Sequence, residues 1–237
     1  MTITSQAQTY HLDTNNDGSI ELTDALIIID YVLGKFNPED NQQPQSYLTC
    51  PDDHHPHLID LGLPSGTKWA CCNVGATTPE SYGGYYAWGE TEEKDYYDWD
   101  TYIHCDGSEE TCHDLGSDIA GTQYDVAHVK WGGSWVMPSY DQQTELRENC
   151  TSEWTTVNGV NGRIFTGSNG GSIFLPAAGY RWRGDPYDAG SYGYYWSSTQ
   201  YPSYSYYAFY LLFGSGYVGW YNRTYRLSGQ SVRPVSR

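Results

Sequence analysis

The sequence predicts an α+β protein built from short strands, two short helices in its main part and many loops. Glycine is abundant, with 26 residues in a chain of 237, and long apolar helices are few. From residue 57 onward, short runs of β-branched and aromatic residues are divided by Gly, Pro and Asn, a pattern typical of strands joined by tight turns. We therefore expect a small helical segment at residues 1–36, a linker at 37–56 and a main domain at 57–237.

The N-terminal segment contains the stretch DTNNDGSIELTD, residues 13–24, which follows the pattern of a calcium-binding EF-hand loop. Oxygen-bearing side chains recur at alternate positions, and Gly18 allows the chain to reverse around an ion. The stretch that follows, DALIIIDYVLG, predicts a helix that ends at Gly34. The predicted Ca²⁺ ligands are Asp13, Asn15, Asp17, Ser19 (through its backbone carbonyl), Glu21 and Asp24.

This segment resembles one repeat of a type I dockerin, in which the loop ends in Asp and the helix ends in a Leu-Gly pair. The resemblance implies a partner of the cohesin type. Dockerins carry two such repeats and this sequence shows one, so the resemblance covers half of the module. Residues 37–56 are rich in Pro, Asn and Gln and predict a linker, and the histidines of DDHHPH are interpreted as solvated residues rather than metal ligands.

The elements of the main domain follow from its turn and cap residues. The stretch LIDLGLPSGTKWACC predicts two paired strands around a PSG turn, and PESYG predicts the start of a short helix. Ser139 predicts the start of the best-defined helix because Gln142 completes a capping box, and Leu146 then faces the core. NGRIFTGSNGGSIFLP predicts two strands around a Gly-rich turn, and GQSVRPV predicts a final strand.

The charge of the chain is strongly acidic and unevenly distributed. The formal net charge is −17, yet residues 154–237 carry seven Arg against two acids, a net of +5, which leaves −22 for residues 1–153. An acidic protein repels phosphate backbones, so nucleic acid is not an expected partner. No run of 18 apolar residues occurs, so no membrane span is expected.

Six cysteines occur, an even number without a CxxC pair. Together with the acidic charge they favour an exported, oxidised protein that is secreted or held at the cell surface. Six cysteines permit fifteen pairings, and the one disulfide predicted is Cys105–Cys112, which brackets the short polar loop CDGSEETC. The alternative is a cytoplasmic protein with reduced thiols.

Residues 57–237 resemble a family known as major paralogous domain proteins, which are abundant in gut bacteria. The resemblance lies in several separate motifs in order, namely DLGLPSGTKWACCNVGA, PESYGGYYAWGET, VKWGGSWVMP, TELRENC, SIFLPAAGYR, GYYWSS and GQSVRPV. It implies a C-type-lectin-like fold. It also implies a likeness to the variable proteins of diversity-generating retroelements, in which a reverse transcriptase randomises adenines in a C-terminal stretch and a stable scaffold displays the result.

The amino-acid composition of residues 180–226 agrees with the implied likeness to the variable proteins. Thirteen of the 24 tyrosines lie there, and Lys, Glu and Met are absent. An Asn codon with randomised adenines can encode Tyr, Ser, Asp, Asn, Thr, Arg, Gly, Phe or Leu, but not Lys, Glu, Gln, Met or Trp. Tyr with Ser, Gly and Asn is also the chemistry of antibody paratopes. The alternative is a fixed Tyr-rich surface.

We therefore predict a variable region at about residues 180–228 that binds a protein or glycan on another cell, a phage or a host surface. Trp196, Ala208, Phe213, Val232 and Pro234 are predicted scaffold, because randomised core positions would leave cavities. Trp182, Trp220, Gln200 and Gln230 are predicted to be fixed. The predicted contact residues are Asp185, Tyr187, Ser191, Tyr192, Tyr201, Ser203, Tyr204, Ser205, Tyr206, Tyr210, Ser215, Tyr217, Tyr221, Asn222, Arg223, Thr224 and Tyr225.

Enzymatic functions are less well supported by the sequence, and no catalytic residue is predicted. A glycosidase needs two carboxylates across a cleft, and the acidic stretch GETEEKDYYDWD supplies them but is more typical of a solvated loop. An oxidase of the formylglycine-generating type needs cysteines near its C terminus, and none follows Cys150. A GxSxG motif is absent. The main alternative to a diversified binding protein is a fixed carbohydrate-binding adhesin or lectin.

Overall fold

A computed structural model of the chain describes residues 4–5, 8–9, 57–219 and 222–236. The chain divides into two compact units, Met1–Gln43 and Pro44–Arg237. In the first unit, β1 (Thr4–Ser5) pairs antiparallel with β2 (Gln8–Thr9). The predicted calcium loop and the helix after it lie outside the described residues, as does the linker.

The second unit contains two helices and eleven strands among its described residues. The helices are α1 (Val126–Trp131) and α2 (Tyr140–Asn149). The strands are β3 (Leu58–Asp60), β4 (Lys68–Ala70), β5 (Thr151–Val157), β6 (Val160–Thr166), β7 (Ser172–Pro176), β8 (Tyr180–Trp182), β9 (Asp185–Tyr187), β10 (Tyr192–Gln200), β11 (Tyr207–Gly214), β12 (Asn222–Tyr225) and β13 (Val235–Ser236).

The predicted α+β class, with its C-type-lectin-like arrangement, is wrong, because the described part of the chain is mostly β. The strands of the second unit form four small antiparallel sheets in the orders β13-β4-β3, β5-β6-β7, β8-β9 and β10-β11-β12. Among the helices of the described residues, only α2 is longer than seven residues. The stretch PESYG forms a turn, in which Ser81 N donates to Thr78 O, and Gly83 then takes a φ of 72° that ends any helical course.

Local predictions that depend on turns and caps are confirmed. The Ser139 side chain accepts from Gln142 N while Gln142 Oε1 accepts from Ser139 N, so both halves of the capping box form at the start of α2. Leu146 is fully buried. The paired strands around the PSG turn are β3 and β4, and the Gly-rich turn joins β6 to β7.

The core of the second unit is aromatic, and buried arginines hold its C-terminal segment. Trp69, Trp88 and Trp196 are almost completely buried. Arg233, 1% exposed, donates through Nε to Asn73 Oδ1 (2.8 Å) and through its terminal nitrogens to the carbonyl oxygens of Cys71 (2.7 Å) and Phe174 (2.9 Å). These hydrogen bonds join three distant parts of the chain, so Arg233 fixes the scaffold beneath the tyrosine-rich strands.

The predicted disulfide between Cys105 and Cys112 is present and closes the CDGSEETC loop. Cys150 is half-buried and forms no disulfide, and burial raises the pKa of its thiol. A half-buried thiol with a raised pKa is protonated at neutral pH and therefore a poor nucleophile.

Candidate ligand-binding groove on the tyrosine-rich sheet

The sheet β10-β11-β12 separates tyrosines that line a groove from residues that pack into the core. Alternate side chains of a strand point to opposite faces, so Tyr194 of β10 and Tyr210 of β11 share one face. Their rings stack with an interplanar angle of 16° and centroids 5.7 Å apart. On the other face, Tyr195, Leu211 and Phe213 are buried in one hydrophobic cluster.

The ribbon β8-β9 supplies a second pair of stacked rings beside this face. Tyr180 and Tyr187 are register partners, and their centroids lie 5.3 Å apart at an angle of 21°. The ring of Tyr180 also lies 4.8 Å from that of Tyr194, centroid to centroid. The ribbon and the sheet are thus joined by a continuous series of tyrosine rings.

A groove of about 490 Å³ opens along these rings. Its volume falls within the range of small-molecule sites in proteins. None of the described residues that line it is charged or aliphatic. Five are aromatic and three carry a hydroxyl or an amide: Tyr180, Trp182, Tyr187, Tyr194, Tyr210, Thr224, Ser228 and Gln230.

Gln230 contributes a buried acceptor that the described part of the protein does not satisfy. Gln230 is 1% exposed, and its side-chain oxygen has no hydrogen-bond partner among the described residues. Its backbone is fixed, because Gln230 N donates to Tyr86 O and Tyr86 N donates to Gln230 O, both at 3.0 Å. An unsatisfied buried polar atom costs about 1–3 kcal/mol, so this amide is held in the wall of the groove at a cost to stability.

The hydroxyl groups of the groove are held in their protonated form. Tyr194 Oη donates to Asp188 Oδ2 at 2.6 Å, and burial together with this hydrogen bond raises the pKa of Tyr194. Burial raises the pKa of Tyr210 to about 12. Both phenols are therefore neutral at physiological pH, and the Asp188 carboxylate fixes the orientation of the Tyr194 ring.

A second aromatic cluster surrounds Arg223 on the edge strand β12. Its guanidinium carbon lies 4.7 Å from the ring centroid of Tyr201 and 5.9 Å from that of Tyr207, which is a cation–π arrangement. A smaller cavity of about 260 Å³ lies here, lined by Tyr207, Arg223, Thr224 and Tyr225. Thr224 lines both cavities, so they adjoin at β12.

The predicted contact residues differ in their exposure. Asp185, Tyr187, Ser191, Ser203, Tyr204, Ser215, Tyr217 and Arg223 are exposed. Tyr192, Ser205, Tyr206, Tyr210, Thr224 and Tyr225 are half-buried.

The remaining contact residues either are buried or are not described. Tyr201, predicted to face solvent, is 9% exposed, because Tyr204 stacks on it and Phe209 and Arg223 pack against it. Tyr221 and the side chain of Asn222 lie outside the described residues. The residues predicted as scaffold are buried, namely Trp196, Ala208, Phe213, Val232 and Pro234.

Three residues that line the groove were missed by sequence reasoning. Tyr194 could have been found from strand alternation, since it lies two positions from Tyr192, which was included. Tyr180 and Ser228 carry no such local signal, because they reach the groove only through the pairing of distant strands. Trp182 and Gln230, which were predicted to be fixed, lie in the groove itself.

The acidic stretch at residues 90–100 is used for structural contacts. Glu90, 6% exposed, forms an ion pair with Lys94 at 2.8 Å, and Asp98 Oδ1 accepts from Thr101 N at 3.0 Å. The exposed Glu92 pairs with Lys130. These contacts give three of the six acids in the stretch a structural role, and the absence of catalytic activity stays a prediction.

Comparison with known proteins gives one match. A family model described as a domain of unknown function, DUF8237, matches residues 138–235, which is less than half of the chain. The matched region includes α2 and the sheet β10-β11-β12. No curated protein and no solved structure matches the chain.

The structure tests only part of the predictions about metal ions, membrane spans and partners. Across residues 57–219 and 222–236, no group of three or more His, Cys, Asp or Glu side chains could hold a metal ion. No helix in the described part of the chain is long and apolar enough to cross a membrane. Calcium binding at residues 13–24, a cohesin-type partner and an extracellular location stay predictions.

Proposed function

We propose that this protein binds a ligand through its tyrosine-rich face and does not act as an enzyme. This face consists of the groove and the adjoining Arg223 cluster, and its ligand is a protein or a glycan on a cell, phage or host surface. The observation that carries the proposal is the open groove lined by five aromatic side chains. A core would not place so many phenols beside solvent, since each hydroxyl needs a partner.

The exposure of the tyrosine rings supports a role in ligand binding rather than in packing of the core. Tyr187, Tyr204 and Tyr217 are each more than 40% exposed. Tyrosine offers a large contact area and a hydrogen bond at a low entropic cost, which is why paratopes use it. The stacked pairs within the groove are already ordered, so a ligand need not order them.

We further propose that the exposed side chains of this face are diversified by a retroelement. The support is the resemblance of residues 57–237 to proteins of that kind, together with the absence of Lys, Glu and Met from residues 180–226. In such a system the scaffold stays constant while contact residues change. A fixed adhesin or lectin is the second candidate, favoured by one observation: Trp182 and Gln230, which randomised Asn codons cannot encode, line the groove.

Removing two groove tyrosines is expected to weaken binding strongly while the fold is kept. The double variant Tyr187→Ala, Tyr194→Ala removes one ring from each stacked pair, and hot-spot tyrosines at interfaces contribute about 2 kcal/mol or more each. Ligands retained by the unaltered protein from an immobilised glycan array and a displayed random-peptide library should bind the variant at least about tenfold more weakly.

The matched control is Tyr96→Ala. Tyr96 is 45% exposed against 41% for Tyr187, and it does not line the groove. Circular dichroism should show that both proteins stay folded. If the double variant keeps full affinity for the retained ligands, or if Tyr96→Ala weakens binding equally, the groove is not the contact surface.

A further inference from the structure

We propose that the groove is a subsite for an uncharged saccharide and that the side-chain amide of Gln230 forms a hydrogen bond with a sugar hydroxyl. This deepens the proposed function and rests on it. The inference names the ligand class for the groove, and it requires no metal ion.

The lining of the groove matches the mixed surface of a sugar ring. A pyranose has an apolar C–H face and a rim of hydroxyl groups, so it needs flat apolar surfaces with hydrogen-bonding groups between them. The stacked pairs Tyr180–Tyr187 and Tyr194–Tyr210 supply the flat surfaces. Thr224, Ser228 and Gln230 supply uncharged polar groups.

Other ligand classes fit this lining less well. An aliphatic peptide anchor is favoured by a pocket of aliphatic side chains, and none of the described lining residues is aliphatic. A charged side chain would need an opposite charge in the groove, and none of the described lining residues carries one. A neutral, hydroxyl-rich ligand avoids both requirements.

Gln230 gives the saccharide a fixed point of recognition. Its backbone is clamped to Tyr86 by two hydrogen bonds of 3.0 Å, and its buried side-chain oxygen has no partner among the described residues. A polar side chain on a fixed backbone discriminates strongly for a ligand that can hydrogen-bond to it. A sugar hydroxyl both donates and accepts hydrogen bonds, so it can pair with the amide.

The Tyr194 ring, one of the flat surfaces for the sugar, is also held in place. Tyr194 Oη donates to Asp188 Oδ2 at 2.6 Å, and the ring lies against Tyr180 and Tyr210. A preorganised surface loses little conformational entropy on binding. The groove can therefore hold a weakly binding ligand class such as a neutral sugar.

The test uses a Gln230→Met variant of the complete, disulfide-intact chain. Methionine keeps the length of the side chain and removes the whole amide, and stability should hold because the amide oxygen has no partner among the described residues. The probes are printed arrays of neutral and acidic oligosaccharides and a displayed random-peptide library. A neutral oligosaccharide should bind the unaltered protein, and Gln230→Met should weaken that binding by about tenfold or more.

Gln200→Met is the matched control. Its side-chain oxygen is also buried without a partner among the described residues, yet it does not line the groove. This variant should bind the oligosaccharide as the unaltered protein does. Equal sugar binding by Gln230→Met and the unaltered protein would overturn the role assigned to the Gln230 amide.

The remaining outcomes separate this inference from the proposed function. If only peptides are retained, and the Tyr187→Ala, Tyr194→Ala double variant loses them, the saccharide assignment is wrong and the proposed function stands. If only acidic oligosaccharides are retained, the assignment of an uncharged ligand is wrong. If no probe binds the unaltered protein, both proposals fail.

Discussion

Replacing Asp125 with alanine is expected to lower the free energy of unfolding by roughly 3–5 kcal/mol. The carboxylate is completely buried and accepts hydrogen bonds from four backbone N–H groups, those of Gly121, Ala127, His128 and Met137, at 2.8–3.1 Å. It caps α1 and also ties that helix to the loop that leads into α2. Its loss would leave all four donors without this acceptor, and those of Ala127 and Met137 are buried.

Asp141→Ala provides the control for this measurement. Asp141 is exposed in the first turn of α2, where a negative charge contributes about 0.3–1 kcal/mol through the helix dipole. In urea unfolding, the loss of unfolding free energy should therefore be several-fold larger for Asp125→Ala than for Asp141→Ala. A loss below about 1 kcal/mol for Asp125→Ala would contradict the hydrogen-bonding pattern around Asp125.

Trp196→Ala is expected to cost about 3–5 kcal/mol, because it removes the largest side chain at the centre of the scaffold. Trp196 is fully buried, and its Nε1 donates to Tyr86 O at 2.8 Å. Its ring also contacts the Tyr210 ring, edge to face, with centroids 6.2 Å apart. The cavity would thus lie directly beneath a ring that lines the groove.

Trp196→Phe should be milder, at about 1–2 kcal/mol. Phenylalanine fills most of the space, and Tyr86 O keeps the hydrogen bond from Gln230 N. Chemical denaturation of the two variants gives the comparison. Equal losses for Ala and Phe would show that the indole N–H, and not the packing of the ring, carries the effect.

Features that depend on neighbouring residues could be predicted from the sequence. The capping box of Ser139 and Gln142, the β6–β7 turn and the Cys105–Cys112 loop are each encoded within a few positions. Trp196 was predicted to be scaffold, and it is fully buried. These local rules apply whatever the surrounding architecture is.

Features that depend on distant residues could not be predicted. The fold class was wrong because the sequence indicated individual strands and helix starts but not how much of the chain each would take, and the strands pair over long distances. The groove forms where the β8-β9 ribbon meets the β10-β11-β12 sheet, and strand pairing of that kind leaves no local pattern. Tyr201 was predicted to face solvent, and only the packing of Tyr204, Phe209 and Arg223 shows why it does not.

The placement of the arginines in residues 154–237 could not be predicted from the sequence either. These seven arginines suggested a basic region, yet Arg163, Arg226 and Arg233 are at most 7% exposed. Arg226 donates through Nε to Tyr102 Oη at 2.8 Å and lies 4.6 Å from the Trp88 ring centroid. These arginines stabilise the scaffold, so a net charge counted along the sequence overstates the positive charge of the surface.

The central claim is that a constant scaffold carries an exchangeable contact surface, and sequencing this gene from many cells of the source population tests it most directly. We expect replacements at exposed positions such as Tyr187, Tyr204 and Tyr217, restricted to residues that a randomised Asn codon can encode. Trp182, Trp196 and Gln230 should be constant, and a reverse transcriptase with a template repeat should lie near the gene. A gene identical in all cells, or replacements that reach Trp196 and Phe213 as often as Tyr187 and Tyr217, would contradict the claim.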